Sequence, residues 1–217
     1  MTGGFQFQFH GLNLVARSSR ALWWPDEKCL IVADLHLGKS ERMARRGGAL
    51  LPPYEGRLTL ERLQHEIAAL SPQRVISLGD AFDDLAAAAA LPMDERHLLH
   101  ELAQGREWLW VSGNHDAGSL PDDLPGRVTT SALIEKIPLR HEAMPHAGPD
   151  ISGHFHPVAR LAGSRLPSFL IGENHLILPA FGAYTGGLIC SDPALVALAP
   201  RGIAAACYEN RVFALPL

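Results

Sequence analysis

The stretch Cys29-Leu-Ile-Val-Ala-Asp34-Leu-His36-Leu-Gly38 decides the fold. Five apolar residues run without a break into an acid, a histidine and a glycine, the pattern of a short strand that ends in a polar loop. Two further stretches repeat it. Arg74–Leu78 leads into Gly79-Asp80-Ala-Phe-Asp83-Asp84, and residues 107–112 lead into Gly113-Asn114-His115-Asp116. Between these strands, residues 59–70 place Leu60, Leu63, Ile67 and Leu70 at a helical period. Residues 94–103 do the same with Leu98, Leu99 and Leu102 after Pro92. Alternation of this kind predicts an α/β fold, and in open α/β sheets ligands collect at the carboxyl ends of the strands, so the three polar loops are expected to converge.

The second half changes character. Residues 133–139, 151–152, 169–171, 175–178, 195–199 and 211–215 read as strands separated by Gly, Pro and Asn, which predicts a meandering second sheet. Residues 47–56, with Pro52 and Pro53, read as a loop. There is no linker and no internal repeat, so residues 1–217 are expected to form a single domain.

Composition narrows the function classes. With 47% hydrophobic and 19% charged residues the chain is not of a disordered class. The run from Leu30 to Ala33 is too short to span a bilayer, and residues 1–20 lack the basic-then-apolar layout of a signal peptide, so a cytoplasmic protein with no membrane partner is expected. Cys29, Cys190 and Cys207 form no CxxC pair and read as buried thiols. The net charge of -4 announces no global positive field, yet bound divalent cations would add local positive charge that a residue count ignores.

Hydrolysis of a phosphate ester needs a hydroxide in line with the leaving group and positive charge on the phosphoryl oxygens; two divalent ions about 3.5 to 4 Å apart supply both. Their ligands are carboxylates, imidazoles and amides. The chain presents these in order. Asp34 and His36 stand two apart and would share a side if strand geometry continued. Asp80, after a glycine, is the natural bridge between ions, and Asn114 offers an amide oxygen. His141 and then Gly153-His154-Phe155-His156 add three imidazoles, the last two again spaced to share one side of an extended segment.

This ordered set of Asp-x-His, Gly-Asp-x-x-Asp, Gly-Asn-His-Asp, a lone His and Gly-His-x-His resembles the calcineurin-like metallophosphoesterase superfamily, over residues 34–156. The resemblance implies a sandwich of two mixed β-sheets flanked by helices. It implies one metal on Asp34, His36, Asp80 and His156 and a second on Asp80, Asn114, His141 and His154. His115 would protonate the leaving oxygen, Asp116 would orient His115, and Asp83 would orient a ligand histidine. Asp-Leu-His-Leu-Gly-Lys at 34–39, Leu51-Pro-Pro-Tyr54 and the segment Leu178–Gly187 further resemble the bacterial ligase-associated DNA-damage-response endonucleases. That likeness implies a manganese-dependent phosphodiesterase acting on DNA, associated with an ATP-dependent DNA ligase, a helicase and an exonuclease. Iron and zinc suit the same ligands.

Other polar features have plainer readings. Lys39, Arg42, Arg45 and Arg46 follow the first polar loop; they are either a grip on substrate phosphates, led by Lys39 and Arg42, or an ordinary basic helix face. Asp84 reads as solvated. His97 and His100 read as surface residues, and His10, His65, His146 and His175 lack a catalytic context. Trp23 and Trp24 could stack on bases, but at least one is expected in the core of an N-terminal hairpin. The rival functions are hydrolysis of cyclic nucleotides, nucleotide pyrophosphates or phosphoproteins by the same cluster, and a catalytically silent scaffold.

Overall fold

The computed structural model describes residues 3–48, 51–116 and 120–217. Its strands are β1 Gly4–Phe9, β2 Leu12–Arg17, β3 Leu22–Trp24, β4 Cys29–Ala33, β5 Arg74–Leu78, β6 Glu107–Val111, β7 Arg127–Thr129, β8 Ala132–Ile134, β9 Ile137–Leu139, β10 Asp150–Ser152, β11 Val158–Leu161, β12 Ser164–Ile171, β13 His175–Ile177, β14 Ile203–Tyr208 and β15 Arg211–Pro216. The helices are α1 Lys39–Arg45, α2 Glu55–Leu70, α3 Leu85–Ala89, α4 Met93–Ala103 and α5 Pro193–Leu198.

Two mixed sheets face each other. The first runs β1-β2-β3-β4-β5-β6-β7 and the second β15-β14-β12-β13-β10-β9-β8, with β11 paired to β12. Strands β4 to β7 are parallel, so the loops after β4, β5 and β6 emerge on one edge. Every residue of β4 is buried, because alternate side chains serve two cores. Cys29, Ile31 and Ala33 join the inter-sheet core with Leu139, Ile151, Phe169 and Leu176, whereas Leu30 and Val32 face Leu60, Leu63 and Leu99 of α2 and α4. Trp24 belongs to the first core and Trp23 packs at the edge of the second. All three cysteines are buried thiols.

Two expectations for the second half fail. Residues 195–199 are not a strand but the end of α5, started by Asp192, whose side chain accepts the Ala194 amide, and by Pro193 in the first turn. Residues 133–139 are not one strand but the β8–β9 hairpin, turning at Glu135 and Lys136 with φ of 47° and 67°. The expected loop 47–56 ends early, since α2 already begins at Glu55; its positions 49 and 50 lie outside the described residues. Among the described residues no helix is long and apolar enough to cross a membrane.

Candidate metal centre

The loops after β4 and β5 are stitched together by backbone bonds: the amides of His36 and Leu37 donate to the carbonyls of Asp80 and Ala81, and the Asp83 amide donates to Leu37. Neither loop continues its strand. Asp34, His36, Asp80, His154 and His156 all occupy the left-handed region, with φ of 53°, 46°, 42°, 69° and 48°. The i, i+2 pairs thus meet through a coiled backbone, not through the extended geometry expected of Asp-x-His and His-x-His. Non-glycine residues held there are strained by about 1 to 3 kcal/mol each, and such strain concentrates at functional sites. Gly79 and Gly153 permit the crowding: a side chain at the first would collide with the His141 ring, and one at the second with the Asp34 carboxylate.

The side chains gather into two adjoining clusters. Asp34, His36 and His156 place one ligand atom each within 4.8 Å of one another, and Asp80, His141 and His154 do the same. The two carboxylates are held alike. Asp34 uses Oδ2 to accept the His154 amide and turns Oδ1 inward, 3.3 Å from His156 Nε2. Asp80 uses Oδ1 to accept the His115 amide and turns Oδ2 toward His141 Nε2, at 3.5 Å. Asn114 Oδ1 is 2.8 Å from the same His141 nitrogen, and His154 Nδ1 is 3.0 Å from it.

These donor sets fit divalent cations. In the first cluster Asp34 Oδ1, His36 Nε2 and His156 Nε2 are buried with no hydrogen-bond partner among the described residues, an arrangement that is expensive unless a cation satisfies it. In the second, a carboxylate oxygen, an amide oxygen and a second imidazole nitrogen crowd one imidazole nitrogen that carries at most one hydrogen. Hard oxygen and borderline nitrogen ligands suit manganese, iron or zinc. Burial depresses the His156 imidazole, but Asp34 and the Gly186 carbonyl outweigh it and raise its pKa above the ordinary value; burial and then His141 lower that of His154.

Around the clusters the structure departs from expectation in two places. Asp116 accepts the amides of Ala81 and Phe82 on one oxygen and of Gly113 on the other, so it ties the loops after β5 and β6 together and does not orient the His115 ring. That ring is held by the Asp83 carbonyl, 2.9 Å from Nδ1, and by edge contact with His36. The Asp83 carboxylate sits 2.9 Å from His36 Nδ1 and 2.8 Å from Arg42 Nη1. Burial alone would raise its pKa, but His36 and Arg42 bring it down to about 2. Asp84 is equally far from merely solvated: it caps α3 through the Ala87 amide and takes Arg45 at 2.8 Å and Arg46 at 3.5 Å. The basic cluster is therefore turned largely onto two acids of its own chain. Of its four members, Lys39 alone has no ion pair among the described residues.

The segment after β13 also belongs to the centre, which no ligand-type residue in it announces. The Phe181 and Gly182 amides donate to the Ala33 and Asp34 carbonyls, and Gly186 O lies 3.2 Å from His156 Nδ1, so this segment clasps the first cluster from behind. Glu142, the residue after His141, stands 3.9 Å from His154 Nε2. Elsewhere His175 pairs with buried Asp150, His100 contacts the Asp123 carbonyl, and His97 and His146 are exposed.

No protein-family model and no curated protein sequence matches the chain. Among solved structures, the Pseudomonas putida nuclease MPE is 30% identical over 98% of this chain and 100% of its own, with a TM-score of 0.78. The E. coli phosphoesterase YfcE aligns over 87% of this chain and 97% of its own at 16% identity and a TM-score of 0.41, too distant to inform the site. The two-sheet fold and an identity that extends over nearly the full length of both chains establish that this chain belongs to the calcineurin-like metallophosphoesterase superfamily.

Proposed function

We propose that the chain is a two-metal phosphodiesterase that cleaves nucleic acid, DNA in the first place, with manganese as its metal. The observation that carries this is the pair of adjoining clusters: buried oxygen and nitrogen atoms of Asp34, His36 and His156 lack hydrogen-bond partners among the described residues, and Asp80, His141 and His154, with the Asn114 amide oxygen beside His141, bring a second set of donor atoms together. The similarity to a nuclease over the whole chain supports a polynucleotide substrate. When bound there, two divalent ions neutralise phosphoryl charge and make a water ionise near neutral pH.

The chain's own groups do the rest. Asp80 has its carboxylate in the second cluster and its carbonyl on the amide of His36 in the first, and is proposed as the shared ligand. His115 has Nδ1 facing a carbonyl, so that nitrogen carries a hydrogen; as the imidazolium the ring gives its second proton from Nε2 to the departing oxygen and is left as the neutral Nδ1–H tautomer. Asp83 Oδ1, 2.9 Å from His36 Nδ1, is proposed to keep the hydrogen on that nitrogen, which leaves Nε2 for the first cluster. Lys39 is the cation best placed to meet a substrate phosphate. A role in DNA repair beside an ATP-dependent ligase, a helicase and an exonuclease, and a cytoplasmic location, extend the proposal from the same family likeness.

The test is cleavage of a DNA oligonucleotide by the manganese-loaded protein. Activity should vanish on chelation and return with manganese; full activity after exhaustive chelation would sink the two-metal reading. His115→Asn should lose on the order of 100-fold on the oligonucleotide, whose leaving group needs a proton, and much less on a nitrophenyl diester. Equal losses on both substrates would remove His115 from the role of acid.

A further inference from the structure

Beside the centre, the turn between β2 and β3, the outer side of α2 and the turn between β14 and β15 line an open cleft of about 540 Å³. Ser18, Ser19, Arg20, Arg62 and His65 line it. Its two guanidinium groups differ from the paired arginines of α1. Arg62 donates from Nη1 to the Phe181 carbonyl at 2.6 Å, and Arg20 from Nη1 to the carbonyls of Gly182 at 3.3 Å and Ala180 at 3.5 Å. Among the described residues neither forms an ion pair. Of the acids on the cavity wall, Glu66 is engaged by Arg17 at 2.8 Å, and Glu209 is exposed at the rim.

Each guanidinium has five N–H donors, and the carbonyl contacts use few of them. The two positive groups also oppose each other: burial, and then the charge of Arg20, pulls Arg62 down to about 10. Arg20 itself holds a left-handed backbone, φ 81°, which glycine or asparagine would adopt with less strain. Two half-buried cations close enough to repel, one of them on a strained backbone, are brought to rest by a shared anion.

We propose that this cavity is a phosphate-binding site, with Arg20 and Arg62 as its charged walls and Ser19 and His65 as neutral donors, and that it holds a non-scissile phosphate of the strand being cut. The identity of the occupant rests on the nucleic-acid reading above; the anion chemistry of the site does not. Position argues for the strand. The Ala180–Gly182 segment turns its carbonyls to the two arginines and its amides to Ala33 and Asp34, so one thickness of backbone separates the cavity from the first metal cluster. The planar forks of two arginines match the oxygens of a phosphate.

The test measures binding of a phosphorothioate oligonucleotide, and separately of inorganic phosphate, by the manganese-loaded full chain as a function of salt. Two variants are compared with the wild type: Arg62→Gln, and His65→Glu, which places a carboxylate at the cavity from an exposed helical position and does not threaten the fold. Both should weaken oligonucleotide binding roughly tenfold or more. Both should also flatten the salt slope by about 0.7 to 0.9 for the lost contact. If the wild type binds no oligonucleotide yet holds an inorganic phosphate that both variants lose, the anion site stands and its occupant is free phosphate, while the nucleic-acid reading falls. If both variants bind oligonucleotide and phosphate as the wild type does, the site is refuted and the nucleic-acid reading is untouched.

Discussion

The two halves of the candidate metal centre are built to different standards. The first, Asp34, His36 and His156, is enclosed: Asp34 is fully buried, and His36 is braced from behind by Asp83, itself braced by Arg42. The second is divided: Asp80 and His141 are buried, but Asn114 and His154 reach the rim. Asn114 is exposed, the His154 side chain is 32% exposed, and the acid beside its Nε2 is the 58% exposed Glu142. A buried ligand set with a fixed tautomer is preorganised and holds its ion tightly; a half-solvated set must be ordered by the ion and exchanges it more readily. The expectation is a resident ion at the first cluster and a weaker, more readily exchanged one at the second.

The sharpest way to break this comparison is Asp80→Asn. If Asp80 is shared, its charge is what keeps two cations together, and its loss should lower activity about a thousandfold or more while the metal count measured by mass spectrometry falls from two to one. Retention of both ions would show that Asp80 serves one cluster only. Next in size is Asp83→Asn, which removes the carboxylate behind His36 without touching the second cluster. Metal affinity at the tighter site should fall by about 10- to 100-fold, the usual penalty for losing a partner behind a ligand histidine. Glu142→Gln, the corresponding change behind His154, should shift affinity less than about threefold, since an exposed contact at 3.9 Å is weak. Equal effects from the two substitutions would erase the distinction between the halves.

The same contrast explains what the sequence disclosed. Strands β4, β5 and β6 were legible because a parallel strand buried on both faces is an unbroken apolar run, and the order of ligands at their ends is written in the chain. The left-handed backbone at Asp34 and His36 was not, because it comes from stitching between loops more than forty residues apart. Asp83 and Asp84 read as one plausible brace and one solvated acid because their arginine partners lie on a helix some forty positions away. In the second half, the helix at 193–198 was misread because six residues hold too few periods to separate helix from strand, leaving Asp192 and Pro193 as the signal that mattered. The turn at Glu135-Lys136 lacks glycine and asparagine, and so gave no turn signal at all.

Within the basic helix α1 the comparison can be repeated on a smaller scale. Arg42→Ala withdraws the guanidinium from Asp83 and should reduce metal affinity at the first cluster by roughly tenfold, through His36. Arg45→Ala breaks only solvent-screened pairs with Glu41 and Asp84, and should leave metal binding and small-diester turnover within about twofold. Calorimetric metal titrations of the two variants decide the matter. Equal behaviour would return Arg42 to the ordinary surface and leave Asp83 to hold His36 alone.

The smallest expected effect concerns how α1 is anchored. Glu55, buried in the first turn of α2, accepts the Ser40 amide at 2.9 Å and so fixes the start of the helix that carries Arg42. Glu95 of α4 is also buried, with its carboxylate against Gly56. Burial first, and then the charges of Glu55 and Asp94, raise its pKa from 4.5 to about 7. A carboxyl whose folded pKa exceeds its unfolded one contributes full stability below the unfolded value, and loses that contribution as pH rises through the folded value. For Glu95 the window runs from about 4.5 to about 7, and with screening by solvent the loss across it is about 1 to 2 kcal/mol. Glu95→Gln keeps the side chain neutral at every pH. Its melting temperature should therefore change little relative to wild type at pH 4.5, but exceed it by roughly 5 °C at pH 8. Because the second cluster has no link to this acid pair, the loss above pH 7 should loosen protection of α1 amides in hydrogen exchange and leave β9 and β10, which flank His141, unchanged. A pH-independent difference between the two proteins, or equal loosening on both sides, would separate Glu95 from the anchoring of α1.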